Sequence, residues 1–167
     1  MLRWTPVLCA LVLAACLLPA GPAHAVFPPP IKDEGKFFKP ETLEKANKKI
    51  REIYENNKKD VVIETIETLT ADQEKQLKEE GKQKFFAKLA LDRARALGVN
   101  GIYIILCKKP THLQVHMDPQ TQKKAFTVAN RKVLIDKIIA SFKEEKFDEG
   151  LLAGLDVIDA TLKANAK

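Results

Sequence analysis

Seven consecutive residues, Gly101-Ile-Tyr-Ile-Ile-Leu-Cys107, carry no charge and are rich in β-branched and aromatic side chains. A strand of this kind has no polar face to offer water, so it must be covered on both sides. That requirement excludes a two-layer sheet with one wet face and calls for helices above and below. Lys108-Lys109-Pro110 follows as a turn, after which Leu113, Val115 and Met117 alternate with His112, Gln114 and His116. The alternation predicts a hairpin partner with one apolar and one polar face.

The flanking segments supply the helices. From Pro40, a residue suited to a first helical position, Leu43, Ala46, Ile50, Ile53 and Tyr54 recur at helical spacing. The segment from Asp60 to Leu69 is rich in β-branched residues and reads as a second strand. Thr70-Ala-Asp-Gln73 is a capping box that opens a helix running to Gly98, loosened midway by Gly81. Beyond the hairpin, Asp118-Pro119 caps a short segment, and Thr127 caps a helix whose core stripe is Ile135, Ile138, Ile139 and Phe142. Leu151, Leu155, Ile158 and Leu162 mark a final helix. The expected architecture is a three-layer α/β/α sandwich, a small mixed sheet flanked by helices with a helical C-terminus.

Three regions divide the 167 residues. Residues 1–25 read as a signal peptide: an apolar run from Val7 to Leu18, the breakers Pro19, Gly21 and Pro22, then Ala23-His24-Ala25. The alternative reading takes Leu13-Ala14-Ala15-Cys16 as a lipobox, with Cys16 lipidated and the protein tethered to a membrane. Residues 26–38, with Pro28-Pro29-Pro30, form an extended leader expected to pack poorly. Residues 39–165 form the domain. Cleavage after Ala25 leaves Cys107 as the lone cysteine, so no intrachain disulfide is expected.

Charge narrows the partners. The chain carries a net charge of +6, which becomes +5 when Arg3 is removed, and Lys108 to Lys146 holds nine basic against four acidic residues. Lys108, Lys109, Lys123 and Lys124 are the candidate anion or partner contacts, on a protein, a membrane complex or an anionic membrane surface; no nucleic-acid partner is expected. Familiar enzyme motifs, including G-x-S-x-G, H-E-x-x-H, Walker A and the EF-hand, do not occur. His112 and His116 lie about 13 Å apart along a strand, too far to chelate one zinc ion as a pair. Cys107 reads as an inert core residue. Oxygen ligands remain at the element ends: Asp33, Asn100 and Asp118, which as a group suit a calcium-type cation, although capping and turn roles account for Asp118 and Asn100 as well.

Several stretches together resemble the TPM domain family, an extracytoplasmic family of bacteria and chloroplast lumens. They are Ile31-Lys-Asp33-Glu-Gly35-Lys-Phe37, Val61-Val-Ile-Glu-Thr65, Val99-Asn100-Gly101-Ile-Tyr-Ile-Ile-Leu106, Leu113-Gln-Val115-His-Met117, and Phe142-Lys-Glu-Glu-Lys-Phe147-Asp-Glu-Gly150. The likeness spans Ile31 to Leu162 and implies the same α/β/α sandwich in a secreted or membrane-facing protein. It implies divalent-metal binding, with Asp33 and Asn100 at matching positions, maintenance of membrane complexes such as photosystem II, and weak acid phosphatase activity as known for a plant member. Two departures matter. Where many members carry a G-x-G-x-E run, this chain reads Asp118-Pro-Gln-Thr-Gln122, and no C-terminal membrane helix is expected in Thr161 to Lys167. The expectation is therefore an exported partner-binding or complex-maintenance module that binds a divalent cation, non-catalytic or nearly so. A metal-dependent phosphatase and an anionic-membrane binder are the alternatives.

Overall fold

The apolar run is an inner strand of a four-stranded sheet in the computed structural model, which describes residues 28–166. The elements follow in the order β1 (Lys32–Asp33), α1 (Pro40–Asn57), β2 (Asp60–Thr68), α2 (Ala71–Glu80), α3 (Lys82–Ala96), β3 (Gly101–Lys109), β4 (His112–Met117), α4 (Pro119–Lys124), α5 (Val128–Lys143) and α6 (Phe147–Ala164). Strand order is β1-β2-β3-β4; the first three are parallel and β4 runs antiparallel to β3. The sheet is mixed and open, with helices on both faces, as the uncharged strand demanded. The signal peptide and lipobox, with Cys16, lie outside the described residues.

Strand alternation divides the interior in two. Ile63, Ile102, Ile104, Leu106, Val115 and Met117 face α1, α5 and α6, where Ala46, Ile50, Ile53, Leu134, Leu155 and Ile158 meet them. This side is close-packed, and the space between Ile63, Ile104, Ile138 and Ile158 amounts to only ≈ 10 Å³. On the other face Val62, Ile66, Tyr103, Ile105 and Cys107 pack under α3 through Phe85, Phe86, Ala90 and Ala94. A polar trio sits within that layer: Glu64 Oε2 accepts from Arg93 Nη1 and from the Tyr103 hydroxyl, both at 2.6 Å. Burial, then the adjacent Glu64 carboxylate, drives the Tyr103 phenol well above its ordinary range.

Local signals hold at most helix starts. Pro40 occupies the first turn of α1, Thr70 and Gln73 form the capping box of α2, Asp118 caps α4, and Thr127 with Asn130 caps α5. Three expectations are corrected. The leader is not loosely packed throughout, because Ile31 and Phe38 are buried in the larger core and Lys32–Asp33 pairs with Glu64 and Thr65 as β1. Gly81 divides the long helix outright into α2 and α3, since its φ of 82° lies where a helix cannot continue. On α5 the buried residues are Leu134 and Ile138, while Ile139 is 37% exposed.

Candidate functional site

At the end of the sheet where β2 and β3 begin, Asp60, Asn100, Gly101 and Asp118 come together. Asp60 pairs with Gly101 in the parallel ladder, its N–H donates to the Asn100 carbonyl at 3.0 Å, and the Asn100 N–H donates to Asp60 Oδ2 at 2.8 Å. This mutual clasp explains the Asn-Gly pair. A Cβ on residue 101 would lie 2.1 Å from the Asp60 carbonyl oxygen, so only glycine lets the strands meet there. On the far side, the Asp118 N–H donates to the Gly101 carbonyl at 3.0 Å, placing Asp118 two strands from Asp60, about 10 Å across the sheet.

The two carboxylates differ in what they have left to offer. Asp118 Oδ1 accepts from the N–H groups of Gln120 and Thr121, whereas its Oδ2 is buried without a hydrogen-bond partner among the described residues. Burial pushes the Asp60 carboxyl above the usual carboxylate range and the Asp118 charge pushes the same way, against the Asn100 N–H and Lys59. Lys59 Nζ donates to Asn100 Oδ1 at 2.9 Å. A cavity of ≈ 280 Å³ opens beside Asp60 and Asn100, walled in part by Pro28, Pro29, Tyr54 and Val99. The arrangement is an edge of hard oxygen donors, two carboxylates and the Asn100 oxygens with Lys58 and Lys59 beside them, a donor set that suits calcium- or magnesium-type cations. Among the described residues no three His, Cys, Asp or Glu side chains form a metal group, so Asn100 or backbone and solvent oxygens would have to complete a coordination sphere.

Asp33 does not join them. It pairs with Thr65, five positions along β2 from Asp60 and about 17 Å away. The expected convergence of Asp33, Asn100 and Asp118 on one ion is therefore not met by the fold. Asp33 organises its own loop: Oδ1 accepts from the Phe37 N–H and the Thr65 hydroxyl at 2.6 Å, and Oδ2 accepts from the Phe38 N–H. Lys108 belongs to this end, donating to the Gly35 carbonyl at 2.9 Å and lying over the Phe37 ring. Lys109 is exposed at the same end, whereas Lys123 and Lys124 project from α4 at the other, so the four lysines do not form one patch.

The remaining candidates are absorbed by the scaffold. His112 stacks on Phe86 at 4.1 Å between ring centroids, and burial lowers the pKa of both His112 and His116. Their polar face is thus partly roofed by α3 rather than open to water. The Cys107 thiol is buried and pushed up by that burial. Asp60 is the residue that sequence reasoning passed over: it read as a strand start, and only its pairing with the Asn-Gly turn marks it.

The sequence pattern of the TPM domain matches residues 31–161, and the chain belongs to that family. Solved structures agree on the fold. The N-terminal domain of a protein from P. gingivalis is similar at a TM-score of 0.62 and 16% identity, over 82% of this chain and 85% of that one. The BA42 protein of Bizionia argentinensis is similar at 0.59 and 17%, over 78% and 85%. The N-terminal domain of a Corynebacterium glutamicum protein is similar at 0.60 and 10%, over 90% and 89%. No curated protein matches. Among the described residues no helix is long and apolar enough to cross a membrane.

Proposed function

We propose that this chain is an exported partner-binding module of the kind that maintains membrane complexes, and that it holds a calcium-type divalent cation at the Asp60, Asn100 and Asp118 edge. The observation that carries the cation reading is the buried, unpartnered Oδ2 of Asp118 at the same end of the sheet as an Asp60 carboxyl that burial, and to a lesser degree the Asp118 charge, push upward. A bound cation relieves both costs, because it supplies the missing partner and offsets the repulsion. Its chemistry at this place is electrostatic bridging: two carboxylates do not fill a calcium sphere, which leaves positions for oxygens of a partner. Export rests on the Ala23-His24-Ala25 segment and on the family resemblance.

The test is calorimetric titration of the metal-stripped full chain with calcium, magnesium and manganese. Saturable heat that disappears in Asp118→Asn and weakens in Asp60→Asn supports the reading; both variants retain an acceptor for the existing backbone N–H bonds. Flat heats with all three ions overturn it. Affinity is expected to fall on acidification, earlier than for ordinary carboxylates, because Asp60 takes up a proton at higher pH. A metal-dependent phosphatase draws less support, since Asp33, one of the three oxygens proposed to hold its ion, lies at the opposite end of the sheet.

A further inference from the structure

β4 ends the sheet, and its outer edge is not paired with another strand among the described residues. The Asp118 N–H bonds to Gly101 of β3, so the antiparallel alternation turns the backbone groups of His112, Gln114 and His116 toward β3 and those of Leu113 and Val115 outward. The Gln114 side chain, donating to the Val115 carbonyl at 3.5 Å, makes a weak contact on that edge. Beside it runs a groove of ≈ 830 Å³ between β4 and α5, with an apolar wall of Ile135, Ile139 and Phe142. Arg131 and Lys143 also line it and make no ion pair with any described residue; Glu145 is the acidic group on the rim.

We infer that the β4 edge receives an extended acidic peptide segment of a partner protein, added to the sheet as a fifth strand. Outward N–H and C=O groups supply main-chain bonds, the α5 wall takes alternate apolar side chains, and Arg131 and Lys143 meet carboxylates. Charge decides among occupants. A second copy paired edge to edge would bring two sets of these cations together, whereas an acidic strand neutralises them. The inference rests on the partner-binding reading but not on the cation, whose site lies at the end of the sheet rather than along this edge.

The probe is a seven-residue peptide of alternating Glu and Val, blocked at both termini, with a Lys-for-Glu version and a version carrying a central Pro as controls. Amide hydrogen exchange of the full chain is followed by NMR. Saturation with the acidic peptide is expected to slow exchange at Leu113 and Val115 at least tenfold, leave Gln114 and His116 nearly unchanged, and weaken with salt; neither control peptide protects. Arg131→Glu with Lys143→Glu, one change at a half-buried position and one at an exposed position, lowers affinity at least tenfold while the spectrum of the free protein is retained. Leu113→Pro removes one outward N–H and abolishes binding. Absence of protection at Leu113 and Val115, or shifts mapping elsewhere, overturns the inference. So does protection already present in the free chain: if it depends on concentration the occupant is a second copy, and if not it is residues 1–27. Protection by anionic vesicles and not by the peptide would assign the edge to a membrane surface. Loss of calcium heats with peptide protection intact would defeat the cation alone.

Discussion

Beneath α1, α5 and α6 the sheet presents Ile63, Ile104, Leu106 and Val115 to an apolar core, whereas beneath α3 it presents Glu64 and His112 beside Val62 and Ile105. Three helices close over most of the first face, leaving it open along the groove between β4 and α5. A single long helix roofs the second, with α2 contributing no buried residue, so the ends of polar side chains there still reach solvent. Coverage, more than strand composition, sets how much polarity a face tolerates: a polar group under a complete roof must find all its partners inside.

The largest test of this contrast is cavity formation. Leu155→Ala on the closed face is expected to cost about 3–4 kcal/mol, against about 1 kcal/mol for the half-buried Leu89→Ala on α3, measured by urea unfolding. Equal losses would mean the two faces are equally closed. Next comes Glu64→Gln, which keeps the Tyr103 bond but leaves the Arg93 guanidinium without its charge partner. Because the side chains of Glu64 and Arg93 are 14% and 33% exposed, the expected loss is about 2 kcal/mol, below that of a fully buried pair. Replacing both by Met and Leu should recover most of it, and failure to recover would make the trio a structural necessity rather than a tolerated one.

The smallest effect is pH dependence on the roofed face. His112 and His116 have folded pKa values below the ordinary 6.5, chiefly through burial. The unfolded chain therefore binds protons first as pH falls, and stability present above pH 6.5 is lost as the pH drops toward the folded values. His112→Gln should flatten the slope of stability between pH 7 and 5. An unchanged slope would assign it to His116 or to the carboxylates.

Much of the fold was legible because its signals are local. The uncharged run marked β3, the alternation of Leu113, Val115 and Met117 marked β4, and Thr70, Asp118 and Thr127 marked helix starts. β1 was hidden, since two residues carry no periodicity and its pairing with Glu64 and Thr65 is a tertiary contact. Ile139 was misplaced because a stripe of apolar residues says that a helix has a buried face but not how the helix is rotated on the sheet. Of the candidate site, Asn100 and Asp118 were visible as polar residues at element ends, whereas Asp60 and the exclusion of Asp33 depended on strand register.

By itself, the order of side chains determined that this chain builds a doubly covered sheet, where its helices begin, and which family pattern it carries. These follow from solvation and capping, which act over a few residues. Only the tertiary structure decided that Asp60 clasps Asn100 at the same sheet end as Asp118 while Asp33 stands at the far end, and that no further strand pairs with β4 among the described residues. Such groupings join residues up to 58 positions apart, from Asp60 to Asp118, and they are set by which strands pair and in what register.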